Sequence, residues 1–204
     1  MPQKILLADD HSMIRRGLKL ICEVQLNVPW IEEVASCNQL MKQLLQNDYS
    51  HLILDIILSD GSTLEVLPTI KKLYPKLNIM VFTMQPAEVY KRVLKNYSIF
   101  HYCSKASPEK ETIQQLKQFL NNEAAVPDEE GSGPQYNPFS TLSPRELEIL
   151  HYLLKGKSNN EVAKALNLKW NTISTVKARI FEKTQTNNLI ELKELATLYN
   201  VSGL

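Results

Sequence analysis

Five short apolar runs, each followed by a stretch of helical periodicity, fill the first 120 or so residues and constrain the fold more than any other feature. The strand candidates are residues 4–8, 31–35, 51–55, 78–82 and 99–103. Most are apolar throughout, as strands covered on both faces should be. Helix candidates lie between them, near 12–25, 38–47, 63–74, 86–96 and 108–121. The first puts Ile14, Leu18, Ile21 and Cys22 on one face. The last opens with Ser107-Pro108, read as an N-cap followed by proline at the first helical position, and turns Ile113, Leu116 and Leu120 inward. Five β/α units of this length predict an α/β fold, a doubly wound parallel sheet of five strands.

In such a sheet, chemistry lies beyond the carboxyl ends of the strands. The run Lys4–Ala8 is followed there by Asp9-Asp10, and His51–Leu54 by Asp55. Thr83 ends the fourth run, and Lys105 comes shortly after the fifth. Three carboxylates at one sheet edge repel one another, so they call for a cation. The set predicts a Mg²⁺ site with one carboxylate left to react. Asp9 and Asp10 would hold the metal, and Asp55 would bind it and attack a phosphorus atom. Thr83 and Lys105 would offer a hydroxyl and an ammonium to the phosphoryl oxygens. Singly each residue is an ordinary strand-end polar group; the reading rests on five suitable groups at four strand ends.

The chain of 204 residues allows one large domain or two small ones. The pattern favours two. Residues 123–139, with Pro, Gly and acids, break periodicity and read as a linker. Only helical patterns follow, so the expected boundaries are 1–122, 123–139 and 140–204. Ser143-Pro144-Arg145-Glu146 forms a capping box, with Leu147, Leu150 and Leu154 on one face after it. Lys155-Gly156-Lys157 ends that helix, and Ser158 caps a second that runs to about Leu166. After the turn Asn167-Leu168-Lys169, a third helix covers about 170–184 and a fourth about 189–199. Two short helices joined by a tight turn, the second longer and polar on one side, match a helix-turn-helix.

On the third helix, Ile173, Val176 and Ile180 face the core, while Asn171, Ser174, Thr175, Ala178 and Arg179 lie on or near the opposite side. Asn and Arg side chains suit base edges, and Ala178 suits a thymine methyl. Lys155, Lys157, Ser158 and Asn159 sit where a loop and a helix N-terminus could hold phosphates. Charge gives this weak support: net charge is +1, but after residue 138 nine Lys/Arg stand against six Asp/Glu. Hydrophobic residues at 44% exclude a disordered chain. Cys22, Cys37 and Cys103 are scattered and read as reduced thiols, not disulfides or zinc ligands. The start leads directly into a strand and no apolar run approaches a membrane span, so a cytoplasmic protein without membrane contact is expected.

Residues 3–122 resemble the receiver domain of bacterial response regulators. The resemblance is carried by Ala8-Asp9-Asp10-His11, Leu54-Asp55-Ile56 with Asp60-Gly61, Phe82-Thr83-Met84 and Ser104-Lys105. It implies phosphorylation of Asp55 by a sensor histidine kinase. It also implies Mg²⁺ on Asp10 and Asp55, with the Ile57 main-chain carbonyl and, through water, Asp9. Thr83 and Tyr102 match the switch pair of that family. Leu142 to Leu150, Gly156 to Ala163 and Thr172-Ile173 resemble the LuxR-type four-helix DNA-binding domain. Together the halves are similar to the NarL/FixJ subfamily, which implies a homodimer on phosphorylation or on double-stranded DNA.

The chain departs from the pattern in places. Ser59 stands for a usual proline, Tyr97-Ser98 for Gly-Ala, and Ala106 for a proline after Lys105. Ser174 replaces a lysine, Val176 a histidine, Asn160 a basic residue and Lys169 a small N-cap, with Lys177 and Arg179 as substitute charges. Apolar Ile57 lies where a polar residue would position water, which predicts a long-lived phosphoryl group. The leading expectation is a phosphorylation-controlled transcription regulator that is not an enzyme. A receiver-type interaction adaptor with impaired DNA binding and an Asp-nucleophile phosphohydrolase are the alternatives.

Overall fold

In the computed structural model, which describes residues 3–125 and 137–201, the five predicted runs pair as one parallel sheet. Among the described residues the strands are, in chain order, β1 (Lys4–Ala8), β2 (Trp30–Val34), β3 (His51–Leu54), β4 (Ile57–Leu58), β5 (Gly61–Ser62), β6 (Asn78–Thr83) and β7 (His101–Ser104). The sheet order is β2-β1-β3-β6-β7, and β4 and β5 form a separate antiparallel pair. Five helices alternate with the strands: α1 (Ser12–Leu20), α2 (Cys37–Gln46), α3 (Leu67–Leu73), α4 (Ala87–Lys95) and α5 (Glu109–Leu120). A π turn, Ile21–Gln25, extends α1. The order reverses between β1 and its two neighbours, and the crevice at such a switch point is where doubly wound sheets bind ligands.

Alternation along the strands separates two faces. Ile5, Leu7, Ile53, Met80, Phe82 and Cys103 form one buried layer with Leu18, Cys22, Leu116, Phe119 and Leu120. Each such aliphatic or aromatic side chain contributes about 1.5–3 kcal/mol on burial. Burial pushes the Cys22 thiol up to about 12 and that of Cys103 to about 11, and both are free, as is Cys37. These are packing thiols.

The structure corrects the sequence reading in three places. The helix expected from residue 63 begins at Leu67, because the Thr63 hydroxyl turns back to the main chain at Asp55 and Ile56. The hairpin of β4 and β5 is too short to leave a periodic signal. Ser107 is not the cap of α5: Pro108 holds the N-cap position in an extended conformation, and the helix starts one residue later.

The chain divides into two compact units. The described residues from 137 onward form only helical elements: a 3₁₀ turn (Pro138–Thr141), then α6 (Pro144–Leu154), α7 (Asn159–Ala165), α8 (Trp170–Thr184) and α9 (Leu189–Leu198). Both α6 and α7 start with complete capping boxes, Ser143 with Glu146 and Ser158 with Glu161. Glu146 also meets Lys183 of α8 at 2.7 Å, so one carboxylate caps α6 and ties it to α8. Ile173, Ile180, Val162 and Leu192 are fully buried. Most of the expected linker lies outside the described residues. Residues 137–139 do not: Phe139 is buried and its ring meets Tyr199 edge-on at 6.3 Å.

Candidate functional site

Backbone pairing carries on one residue past three strands and so places the acidic cluster. The Asp9 N–H donates to Val34, the Asp55 N–H to Ala8 and the Lys105 N–H to Thr83, at 3.1, 2.9 and 2.9 Å. Asp9, Asp55, Thr83 and Lys105 are thereby fixed at the carboxyl edge by the ladder itself. Thr63 steadies the same edge from below: its buried hydroxyl donates to the Asp55 carbonyl at 2.9 Å.

The side chains converge. Lys105 Nζ lies 2.5 Å from Asp55 Oδ2 and 2.7 Å from Asp9 Oδ2. All three side chains are almost fully buried, Lys105 only 3% exposed. The Thr83 side chain hydrogen-bonds the Asp55 carboxyl. Ligand atoms of Asp9, Asp10, His11 and Asp55 all fall within 4.8 Å of one another. His11 is a member that sequence reasoning misses, although its place after the acidic pair is a signal. Its Nδ1 stands 2.8 Å from Asp10 Oδ1. Thr63 is missed as well, and no sequence pattern points eight residues back to a strand end.

One cation sits among three acids. Burial raises the Asp55 carboxyl above the ordinary carboxylate range, with the Asp9 charge adding to the push; Lys105 and Thr83 act against it. Asp9 Oδ2 and Asp10 Oδ1 are buried and accept no directed hydrogen bond, despite the nearby Lys105 and His11 nitrogens. Buried carboxylate oxygens that outnumber the cations beside them are the donor set of a hard divalent cation.

The remaining predicted residues lie close by. The Ile57 N–H approaches Asp55 Oδ1 at 3.4 Å. Tyr102 pairs with Val81 and Ser104 with Thr83 across β6 and β7, so Tyr102 and Thr83 share one face of the sheet. Ser59, in the proline position, donates its hydroxyl to the Ala35 carbonyl at 2.9 Å and so anchors the turn by another means. Asp60 turns away from the cluster and accepts from Cys37 and Asn38 N–H groups at the start of α2.

In the C-terminal unit, Asn171, Thr175, Ala178 and Arg179 are exposed along α8, with Ser174 and Lys177 half-buried beside them. Lys169 is the N-cap of α8 and makes no side-chain cap. Asn159 of α7 donates to the Ser174 hydroxyl at 3.2 Å, linking the two helices. Lys157 and Ser158 are engaged with Glu161, at 3.3 and 2.8 Å. Hydrogen bonds from Ser158 hold the Glu161 carboxyl down to about 2. A carboxylate therefore already stands at the helix start where the sequence suggests a phosphate.

Two family models match these units: "Response regulator receiver domain" over residues 5–117 and "Bacterial regulatory proteins, luxR family" over 140–196. The chain belongs to the NarL/FixJ response regulators. The oxygen regulatory protein NreC of Staphylococcus carnosus is 28% identical over 95% of this chain and 96% of its own. The putative positive transcription regulator of virulence factors BvgA of Bordetella pertussis is 26% identical over 99% and 100%. RcsB of Salmonella enterica serovar Typhimurium, solved bound to a promoter with the phosphomimetic BeF₃⁻, shares the fold with a TM-score of 0.79, 24% identity and 97% and 100% coverage. This response regulator thus joins a receiver domain to a LuxR-type DNA-binding domain. Among its described residues no helix is long and apolar enough to cross a membrane.

Proposed function

We propose that Asp55 is the single phosphoacceptor of this regulator and that its phosphorylation controls dimerisation and DNA binding by α8. The observation that carries the reading is the Asp55 carboxylate, held 2.5 Å from Lys105 Nζ and hydrogen-bonded by Thr83 at the switch point of the sheet. An Asp55 carboxylate oxygen attacks the phosphorus of a phosphohistidine on a sensor kinase. The P–O bond forms as the P–N bond breaks, and the imidazole leaves and takes up a proton. Lys105 Nζ follows the new phosphoryl oxygens, and the Thr83 hydroxyl turns from carboxylate to phosphoryl group. Tyr102, on the face that Thr83 shares, follows the hydroxyl and reports its movement at the β7 surface.

The buried carboxylate oxygens of Asp9 and Asp10 fit Mg²⁺, with Asp10, Asp55 and the Ile57 carbonyl as ligands and Asp9 acting through water. The cation would neutralise charge on the transferring group. Residues 1–122 act as input, 123–139 as connector and 140–204 as output, in the cytoplasm. The side of α8 that carries Asn171, Ser174, Thr175, Ala178 and Arg179 enters the major groove, and Lys157, Ser158, Asn159 and Lys177 lie near the phosphates. The protein turns over no substrate of its own.

The full chain, treated with acetyl phosphate and Mg²⁺, should gain one phosphoryl group per chain on Asp55, and the Asp55→Ala variant none. Phosphorylated protein should select DNA from genomic fragments more strongly than unphosphorylated protein, with binding that weakens as salt rises. No phosphate on Asp55 rejects the switch. Phosphate without selected DNA favours the adaptor reading, to which Glu161 at the start of α7 lends some weight.

A further inference from the structure

The sequence puts Ser174 and Thr175 on the outward side of α8, and the structure engages both hydroxyls within the domain. Thr175 Oγ1 donates to the Asn171 carbonyl at 2.9 Å. The Ser174 hydroxyl is held by the Asn159 amide of α7 at 3.2 Å, which turns it to the side of the helix. A threonine whose Oγ1 bonds the carbonyl four residues back leaves its methyl group as the outward substituent. Three residues on, Ala178 offers another methyl, and it is exposed. Asn171, Thr175 and Ala178 follow at spacings of four and three and therefore form one stripe. At its N-terminal end the Asn171 amide is exposed and makes no side-chain hydrogen bond among the described residues.

The charges lie around this stripe, not on it. Lys177 and Arg179 fall to either side of Ala178, where they suit the phosphate walls of a groove. Lys177 Nζ leans over the Phe181 ring at 5.5 Å, toward the C-terminal end of the helix. Glu182 comes next on the stripe and is exposed, so its carboxylate limits close approach to DNA to the first turns of α8.

We propose that α8 reads A·T pairs. Asn171 makes a bidentate contact with an adenine edge, and the methyls of Thr175 and Ala178 pack on the 5-methyl groups of neighbouring thymines. The proposal rests on the reading that α8 enters the major groove and names what it recognises there. Ser174 is a positioning residue, held by Asn159, and contributes no base contact.

The test uses the phosphorylated full chain and duplexes selected from a random-sequence pool. The selected half-site should contain A·T pairs, and replacing its thymines by deoxyuridine, which removes only the methyl, should weaken binding about three- to fivefold per contacted methyl. Thr175→Val keeps the methyl and should preserve this thymine preference. Thr175→Ser keeps the hydroxyl and should lose one methyl's worth of it. Circular dichroism and the salt dependence of non-specific binding show whether each variant is folded. A G·C half-site, or deoxyuridine duplexes bound as tightly as thymidine ones, overturns the proposal and leaves DNA recognition standing. Failure to select any sequence above non-specific binding overturns the proposal together with the DNA-binding reading.

Discussion

Lys105 Nζ stands 2.5 Å from Asp55 Oδ2 although the residues are 50 positions apart, and the same nitrogen reaches Asp9 Oδ2 at 2.7 Å. A single buried cation thus serves two buried carboxylates. Such an arrangement is sensitive to the loss of its positive charge, since uncompensated buried carboxylates cost more than a pair.

Lys105→Met should therefore destabilise the receiver by about 3 kcal/mol in EDTA, the cost of leaving Asp9 and Asp55 unpaired. Adding Mg²⁺ should recover part of the loss, because a bound cation stabilises the folded state by mass action. Urea denaturation of the full chain with EDTA and with Mg²⁺ measures both. A variant equal to the parent in EDTA would refute the compensating role of Lys105.

Asp55→Asn should stabilise the metal-free protein at neutral pH, since Lys105 keeps Asp9 as its partner. The sign follows from burial, which raises the Asp55 carboxyl in the folded state. Protonated Asp55 therefore favours folding. Its contribution is fully present below the unfolded value and is lost as pH rises through the raised folded value. The advantage of Asn over Asp should shrink as pH falls through the raised value toward the ordinary carboxylate range. Melting temperatures of both proteins in EDTA across that range check this, and an advantage that grows on acidification would contradict it.

Thr63→Val keeps volume but removes the hydroxyl that donates to the Asp55 and Ile56 carbonyls at 2.9 and 3.1 Å. The expected loss is about 1–2 kcal/mol, since two buried acceptors lose a donor. Phosphorylation by acetyl phosphate should slow as well, because the strand end that aims Asp55 relaxes. A variant that loses stability but keeps the parent rate would separate the two roles.

Apolar Ile57 lies two residues past Asp55, with its N–H 3.4 Å from Asp55 Oδ1. Without a polar side chain there to position water, the phosphoryl group should persist well beyond seconds at neutral pH. Ile57→Asn should shorten its lifetime. Phosphate release from the purified phosphoprotein decides the matter, and loss of the parent's phosphate within seconds would falsify the idea.

Ser98 adopts the left-handed conformation, with φ of 54°. Ser98→Gly should stabilise the receiver by about 1 kcal/mol, since glycine meets no Cβ penalty there. Thermal melts of the full chain measure it. A drop in stability would show that the Ser98 side chain outweighs the backbone strain.

Much of this regulator is legible in its amino-acid sequence. Apolar runs mark all five strands of the sheet, and the helix caps Ser143 and Ser158 mark α6 and α7. Asp9, Asp10, Asp55, Thr83 and Lys105 are legible because a parallel sheet exposes its chemistry where apolar runs end. Thr63 and the β4–β5 hairpin are not, because a bond from a side chain to a distant carbonyl and a two-residue strand leave no periodic trace. Nor does the sequence show that the Thr175 hydroxyl is engaged within its own helix.

The sequence alone determined the element types, their order and the edge of the sheet at which acids gather, because hydrophobic periodicity and local capping act over a few residues. Only the tertiary structure decided which charges meet. Lys105 reaches both Asp9 and Asp55 because non-adjacent strands pair in one register, and Asn159 holds Ser174 because α7 packs on α8. Those contacts depend on distances across the fold, which spacing along the chain does not encode.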